Sequence, residues 1–228
     1  SIDGGAGSIN TLDFSQYTTA TTFALTGLSA TAGFDGVDQS GTAAIATGFS
    51  NISGINAGTI GGELIGNVFN GAGASQAGTF DIESLNSVFT AGGQTLAFND
   101  FSTLTGGLAA DTFNVNADAT VAINGGAGND TVSVGDDILL AGSVTGQAGD
   151  DLVTLGTGAS IDGAVDGGDD NDTFALGDTA TITGAFSGAA GTDTLSFQAY
   201  QTARDVSLTA VTINGFDGTD NNGSTPSG

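Results

Sequence analysis

The sequence predicts an all-β protein, a parallel β-solenoid built from 20- to 21-residue coils. Three observations predict it: 40 glycines with a single proline, period-2 alternation of apolar residues, and aspartates that recur at nearly constant spacing. Glycine-rich turns between short β-branched and aromatic strands are typical of chains with many tight corners. The 39% hydrophobic content, with 14 phenylalanines, supplies the apolar surface that a folded core needs.

The repeat is clearest between residues 106 and 200. Each unit opens with a glycine-rich turn that ends in aspartate, and these aspartates are Asp111, Asp130, Asp151, Asp172 and Asp193. The offset between successive aspartates is 19 for the first pair and 21 for each of the other three pairs. Alternating apolar pairs follow, namely Phe113 and Val115, Val132 and Val134, Val153 and Leu155, Phe174 and Leu176, and Leu195 and Phe197. Such alternation predicts strands with one buried face, which a single unit can bury only by stacking on its neighbours.

Three regions follow from this pattern. Residues 1–105 are expected to form irregular coils, because Ala57-Gly58-Thr59-Ile60 recurs as Ala77-Gly78-Thr79-Phe80 at an offset of 20, which also matches Glu63 with Glu83 and Val68-Phe69 with Val88-Phe89. Residues 106–200 are expected to form regular coils with Gly/Asp turns, and residues 201–228 a terminal coil with a polar tail that begins at Gly218. About eleven coils would fill the chain and rise about 50 Å at the spacing of neighbouring strands.

A longer repeat relates the two ends of the sequence. Residues 11–20 return as residues 194–203 at an offset of 183, and Gly33-Phe34-Asp35-Gly36 returns as Gly215-Phe216-Asp217-Gly218. The C-terminal region is therefore a copy of the N-terminal region. This predicts either a segment of a giant tandem protein or a subunit that meets copies of itself head-to-tail, and head-to-tail contacts that do not close make fibres.

The charge balance limits the kinds of partner that the chain can bind. The chain has 25 acidic residues against one basic residue, Arg204, and a formal net charge of −24. Nucleic acid and anionic membranes are poor partners for such a surface, whereas divalent cations would relieve its self-repulsion. No apolar stretch approaches the roughly 20 residues of a membrane span, so membrane insertion is not expected.

The turn at residues 125–133 has the composition of a calcium site. Its run Gly125-Gly126-Ala127-Gly128-Asn129-Asp130-Thr131-Val132-Ser133 fits the pattern G-G-x-G-x-D-x-U-x at every position. Glycines turn carbonyl oxygens inward, aspartate adds a carboxylate, and Ca²⁺ takes about six to eight such oxygens. Here the chain resembles the RTX family of secreted calcium-binding repeats, and more broadly the large repetitive surface proteins of Gram-negative bacteria.

The resemblance implies Ca²⁺ as cofactor and an extracellular or cell-surface location. The metal ligands that it implies are Gly125, Ala127, Asn129, Asp130, Gly146, Asp150, Asp151, Gly167, Asp169, Asn171, Asp172 and Asp193. The family's paired nonapeptides place turns on both sides of a coil of about 18 residues, whereas this chain has one such turn per coil. Calcium would then line one edge only. The alternative is that each aspartate caps backbone N–H groups without a metal.

Three classes of function are compatible with a solenoid. A structural protein is expected, as a self-assembling filament subunit or as a fragment of a giant adhesin. An enzyme acting on polysaccharides is disfavoured, because histidine is absent and Tyr17 and Tyr200 occupy equivalent repeat positions, which indicates a scaffold role. Ice or carbohydrate binding by a threonine array is also disfavoured, because Thr179, Thr181 and Thr183 have no threonine counterparts one coil earlier.

Overall fold

The computed structural model describes residues 2–6, 10–17, 19–29, 33–39, 48–57, 62–65, 68–69, 75–85, 87–201, 206–212 and 215–220. Every regular element in these residues is a β-strand. No helix long and apolar enough to cross a membrane occurs in them.

The strands, in chain order, are β1 (Ile2–Asp3), β2 (Thr11–Asp13), β3 (Thr21–Leu28), β4 (Phe34–Asp38), β5 (Phe49–Ile52), β6 (Gly54–Asn56), β7 (Gly62–Ile65), β8 (Val68–Phe69), β9 (Ser75–Gln76), β10 (Gly78–Ile82), β11 (Ser87–Ala91), β12 (Gln94–Asn99), β13 (Thr103–Gly107), β14 (Thr112–Val115), β15 (Ala122–Ala127), β16 (Thr131–Val134), β17 (Leu139–Leu140), β18 (Val144–Ala148), β19 (Leu152–Leu155), β20 (Ser160–Ile161), β21 (Val165–Asp169), β22 (Thr173–Leu176), β23 (Thr181–Ile182), β24 (Phe186–Ala189), β25 (Thr194–Ser196), β26 (Val206–Thr212) and β27 (Gly215–Asp220).

Two ten-stranded sheets run the length of the solenoid. Sheet 1 has the order β1-β5-β4-β3-β7-β13-β15-β18-β21-β24, and sheet 2 has the order β2-β6-β12-β11-β10-β14-β16-β19-β22-β25. We call one level of the stack, with one strand from each sheet, a rung. Rung 1 is β1 with β2, and rung 10 is β24 with β25. A third sheet, β17-β20-β23, closes the remaining face of the regular coils.

The coils from β13 to β25 are regular and parallel. Each contributes a strand to sheet 1 and then to sheet 2, and the middle coils add one to sheet 3. Phe113 pairs with Val132 at an offset of 19, and from there Val132 pairs with Val153 and Val153 with Phe174 at an offset of 21, so each coil repeats the register of the last one. The predicted parallel β-solenoid is confirmed.

The core is a set of columns inside the coils. Val132, Val153 and Phe174 are 4%, 3% and 1% exposed, so the column predicted from the residues that follow the turn aspartates is confirmed. Columns from sheet 1 and sheet 3 face it from the other two sides, and their buried members include Ile123, Val144, Val165, Leu140 and Ile161. Strand alternation places one residue in two in these columns.

Antiparallel pairing interrupts the coils below β13. In sheet 1, β3 pairs antiparallel with β4, and β4 with β5. In sheet 2, β10 pairs antiparallel with β11, and β11 with β12. Gly92 and Gly93 have φ of 54° and 79°, which suits the two-residue hairpin loop between β11 and β12. The expectation of about eleven successive 20- to 21-residue coils is therefore wrong for this part of the chain.

The 20-residue offset near residue 60 fails for the same reason. Glu63 was expected to lie one coil from Glu83, but it pairs with Thr103 of β13. Phe89, the expected partner of Phe69, folds back on Phe80 within the β10–β11 hairpin.

The C-terminal region contains a hairpin of β26 and β27, which form a two-stranded sheet of their own. Residues 218–220, predicted to begin the polar tail, belong to β27. The rest of that predicted tail, residues 221–228, lies outside the described residues. The boundaries predicted at residues 105 and 200 stay predictions.

We predict that Phe174→Ala destabilises the protein by about 3–5 kcal/mol, because it removes a buried aromatic ring and leaves a cavity in the column. The measurement is chemical unfolding followed by circular dichroism. Thr154→Ala, on the outward face of β19, is the matched control and should change the free energy of unfolding by less than about 0.5 kcal/mol. A loss below about 1 kcal/mol for Phe174→Ala would contradict the packing of this column.

Candidate functional site: an internal aspartate ladder

The turn aspartates form a ladder along the inside of one corner. From Asp130 onwards, the Oδ1 of each aspartate accepts a hydrogen bond from the backbone N–H of the aspartate one coil earlier, and Oδ1 of Asp111 accepts from the N–H of Gly78. Asp111 donates in this way to Asp130 at 2.7 Å, Asp130 to Asp151 at 2.7 Å, Asp151 to Asp172 at 2.8 Å, and Asp172 to Asp193 at 3.0 Å. These contacts correspond to the N–H capping alternative, but the capping runs between coils rather than within a turn.

The first glycine of each turn makes room for the ladder. A Cβ atom on Gly125 would lie closer than 3.0 Å to Oδ2 of Asp130, and one on Gly146 or Gly167 would meet the Oδ2 of its own turn's aspartate in the same way. Gly106 and Gly188 have the same relation to Asp111 and Asp193. Gly125, Gly146 and Gly167, which the sequence predicts as metal ligands, thus leave the space that the carboxyl groups occupy.

The second carboxylate oxygen is buried without a partner in the three middle steps. Oδ2 of Asp130, Asp151 and Asp172 makes no hydrogen bond, and these residues are 3%, 5% and 1% exposed. Burying a polar atom without a partner costs free energy, and more when the group is charged. The ladder therefore favours the neutral, protonated form of these carboxyl groups.

The pKa values of the ladder follow from that burial. Burial raises the pKa of Asp130 to about 7, against the lowering effect of the N–H that Asp111 donates, and the charges of Asp151 and Asp111 raise it further. Burial likewise raises the pKa of Asp111, Asp151 and Asp172 to about 6. For Asp151 the neighbouring Asp150 and Asp170 also raise the pKa.

Asn10 shows which group suits the Oδ2 position. The 183-residue offset places Asn10 in rung 1 where Asp193 lies in rung 10. Its Nδ2 donates to the carbonyl oxygen of Asn51 in the next rung at 2.9 Å. Asn51 O lies against Gly4 as Gly146 O lies against Gly125, so the aspartate Oδ2 atoms approach an equivalent carbonyl oxygen. A carboxyl proton would supply there the donor that the Asn10 amide carries permanently.

A second, exposed ladder runs beside the first in the opposite direction. The N–H of Asp150 donates to Oδ1 of Asn129 at 3.2 Å, that of Asn171 to Oδ1 of Asp150 at 2.8 Å, and that of Thr192 to Oδ1 of Asn171 at 2.9 Å. Asp118 and Asp136 accept from the following coil in the same sense at another corner. Side-chain oxygens thus bridge successive coils at more than one corner.

The predicted calcium ligands divide between these environments. Asp130, Asp151, Asp172 and Asp193 each accept a backbone N–H at Oδ1, and Oδ2 of each lies beside the first glycine of the same turn. The exposed predicted ligands are Asn129, Asp150, Asp169 and Asn171, while Ala127 ends β15 and pairs with Ala148. In the described part of the chain no group of three or more acidic, histidine or cysteine side chains is arranged to hold a metal ion. Calcium binding by the predicted ligands stays a prediction.

A pocket of about 540 Å³ lies between the antiparallel region and the first regular coils. Glu83, Asp100 and Asp118 are among its lining residues, together with the exposed Leu85. Glu83 is held by Asn116, whose Nδ2 donates to Oε1 at 2.9 Å. The pocket is acidic, and it was not anticipated from the sequence because its walls come from strands of different coils.

Comparisons with family models, curated proteins and solved structures found no match to this chain. Its class is therefore defined by its own residues, as a β-solenoid with an internal aspartate ladder.

We predict that the protein becomes more stable as the pH falls from about 8 towards 4. The ladder carboxyls have pKa values of about 6 to 7 in the folded state against 3.8 when unfolded. The stability they contribute is full below pH 3.8 and is lost as the pH rises through about 6 to 7. The measurement is the melting temperature across this range at constant ionic strength.

Asp151→Asn tests the assignment, because an amide supplies the Oδ2 donor at every pH, as Asn10 does. It should raise the melting temperature at pH 8 and flatten the pH dependence. The exposed Asp137→Asn variant makes the same charge change and should leave the slope as it is. Equal slopes for the two variants would show that general charge repulsion, not the ladder, causes the effect.

Proposed function

We propose that this chain is a non-catalytic structural protein of the extracellular space or cell surface. In this proposal each chain is a solenoid unit, and further copies extend it head-to-tail. The observation that carries the proposal is the equivalence of rung 1 and rung 10. β2 and β25 are related by the 183-residue offset, and each follows a turn in which a glycine lies against the ladder residue, Gly4 against Asn10 and Gly188 against Asp193. The two ends of the solenoid thus share this strand and a similar turn, although the counterpart of Gly188 at the offset is Gly5, one position after Gly4.

The free edges of these rungs are complementary. β2 pairs with β6 along one edge and is the last strand of sheet 2 at that end. β25 pairs with β22 along the other edge and is the last strand at the opposite end. An unpaired strand edge is a template for pairing with another chain. A second copy supplies the missing neighbour on each side.

Exposed apolar side chains accompany the open edge. Phe186 and Leu195 continue core columns into rung 10, where they are 41% and 43% exposed. Solenoids normally cap such terminal faces, because an open core column gains from further stacking. In rung 10 these faces are positioned for another copy.

Surface chemistry supports a location outside the cell. A net charge of −24 and the resemblance to secreted repeat proteins both fit a soluble or surface-attached fibre. A giant tandem adhesin is the second form of the same proposal. In such a protein, the region β24–β27 would be the beginning of the next unit, joined covalently to this one. Both forms give a continuous solenoid.

We predict that Ca²⁺ raises the melting temperature at low salt through the exposed ladder and the acidic surface. Mass action requires this of any ion that binds the folded state selectively. The measurement is thermal unfolding in Ca²⁺ and in excess chelator, with sodium chloride at matched ionic strength as control. Asp150→Asn should reduce the difference. If sodium chloride reproduces the whole effect, screening explains it and specific calcium binding is wrong.

We predict that the full chain forms unbranched linear assemblies as its concentration rises. The measurements are light scattering after size-exclusion chromatography, and electron microscopy of the same fractions. An axial repeat of nine to ten rungs, about 43–48 Å at about 4.8 Å per rung, is the expected signature. A chain that stays monomeric at high concentration, at neutral and mildly acidic pH, would contradict self-assembly.

A further inference from the structure

We infer that consecutive copies join by sharing one rung: β24–β27 of one copy take the place of β1–β4 in the next copy. This deepens the proposed head-to-tail assembly and rests on it. Two geometries are available to such a junction. In simple stacking, rung 10 of one copy lies on rung 1 of the next. In rung sharing, rung 10 of one copy becomes rung 1 of the next and displaces its β1–β4 segment.

The first argument is the register of two hairpins. In β3–β4, Phe23 pairs with Asp38 and Leu28 pairs with Phe34, with an irregularity between Leu25 and Gly27. In β26–β27, Val206 pairs with Asp220 and Val211 with Phe216, and the irregularity lies between Leu208 and Ala210. Each residue of β26 is 183 positions after its counterpart in β3, and each residue of β27 is 182 positions after its counterpart in β4, so the two hairpins have the same pairing and the same bulge, with a connection shorter by one residue in β26–β27.

The second argument is what the two hairpins pair with. β3 pairs in parallel with β7, and β4 pairs with β5, so the N-terminal hairpin is enclosed within sheet 1. β26 and β27 form a separate two-stranded sheet. In the order of sheet 1, one strand, β5, lies between β1 and the β3–β4 hairpin. Beyond rung 10, the strand that corresponds to β5 comes from another copy. The β5 and β7 strands of that copy have the register needed to pair with β27 and β26, as they pair with β4 and β3.

The third argument is the ladder. In rung 1 the N–H of Asn10 donates to Oγ of Ser53 in rung 2 at 2.9 Å, so Ser53 takes the role that an aspartate Oδ1 has in the regular coils. In rung 10, Asp193 already accepts the N–H of Asp172 from below. A shared rung joins both halves of this pattern, with Asp172 of one copy below Asp193 and Ser53 of the next copy above it. Simple stacking instead brings the side chain of Asn10 of the next copy to Asp193, so the two geometries give Asp193 different neighbours.

The register defines a disulfide test, and the chain has no cysteine of its own. Asp13 pairs with Asn56 between rungs 1 and 2, and Ser196 is the counterpart of Asp13 at the 183-residue offset. Paired residues on neighbouring strands are about 4.8 Å apart, within the range for a disulfide. Under rung sharing, Ser196→Cys combined with Asn56→Cys gives disulfide-linked oligomers on mild oxidation. Within one copy these positions are eight rungs apart, which is far beyond disulfide range.

A second pair reports the competing geometry. Simple stacking brings β25 of one copy against β2 of the next, so Ser196→Cys combined with Asp13→Cys would form the intermolecular disulfide instead. Denaturing gels without reductant, followed by peptide mapping, identify which pair is linked. Addition of reductant should return every species to monomer.

A locked variant is the matched control. Asp13→Cys combined with Asn56→Cys links rung 1 to rung 2 inside one copy and prevents displacement of β1–β4. Under rung sharing this intramolecular disulfide abolishes assembly, and reduction restores it. Under simple stacking the locked protein assembles as the unmodified protein does. Its melting temperature, measured in parallel, shows that the locked protein is folded.

The outcomes separate the two proposals. Oligomers linked through residues 56 and 196, together with a non-assembling locked variant, support rung sharing. Linkage through residues 13 and 196, with assembly of the locked variant, overturns rung sharing and leaves the head-to-tail fibre in place. A chain that is monomeric in every variant overturns both.

Discussion

The hydrogen bond from one aspartate's backbone N–H to the next aspartate's Oδ1 is the contact on which the regular solenoid depends. At a corner the backbone leaves one sheet and has not yet entered the next, so its N–H groups lose their ladder partners. Asp130, Asp151 and Asp172 supply the missing acceptor from the neighbouring coil. The same requirement explains the glycine that opens each turn, because any Cβ there would occupy the space of the carboxyl group.

This arrangement links stability to acidity in an unusual direction. Most folded proteins lose stability in mild acid, because their carboxylates are better stabilised in the native state than in the unfolded chain. Here the ladder buries Oδ2 of Asp130, Asp151 and Asp172 without a hydrogen-bond partner, and burial raises the pKa of these carboxyl groups. Asn10 occupies the same position in rung 1 but carries an amide. Its N–H donor is present at every pH and donates to the carbonyl oxygen of Asn51. An acidic protein can thus keep an internal column of carboxyl groups without keeping their charge.

The regular coils could be predicted because their signals are local and repeated. The constant offset of the aspartates and the alternation at Val132, Val153 and Phe174 define strand, turn and register together. The antiparallel region was missed because its hairpins depend on which strands meet. The Gly92-Gly93 pair was a usable hairpin signal, but the similarity of residues 57–60 to 77–80 favoured a coil.

The position of the ladder could be predicted from the sequence, whereas its hydrogen bonds between coils could not. The motif at residues 125–130 located the ladder, yet the composition of the turn cannot distinguish a carboxylate that binds a cation from one that accepts an N–H of the next coil. Asn10 and Ser53 were missed because no glycine-aspartate motif marks them. The 183-residue offset contained the signal for Asn10, since it pairs that residue with Asp193.

The antiparallel strands also help a repetitive chain to select one pairing register. Coils of equal length could pair one step out of place, since a shift by one whole coil brings similar residues together again. Within the block of β3–β5 and β10–β12, the middle strands β4 and β11 run opposite to the coils, so a parallel coil cannot replace them. One such block in each period sets the register of the coils stacked on it. A long fibre built from these units would therefore keep the same register along its length.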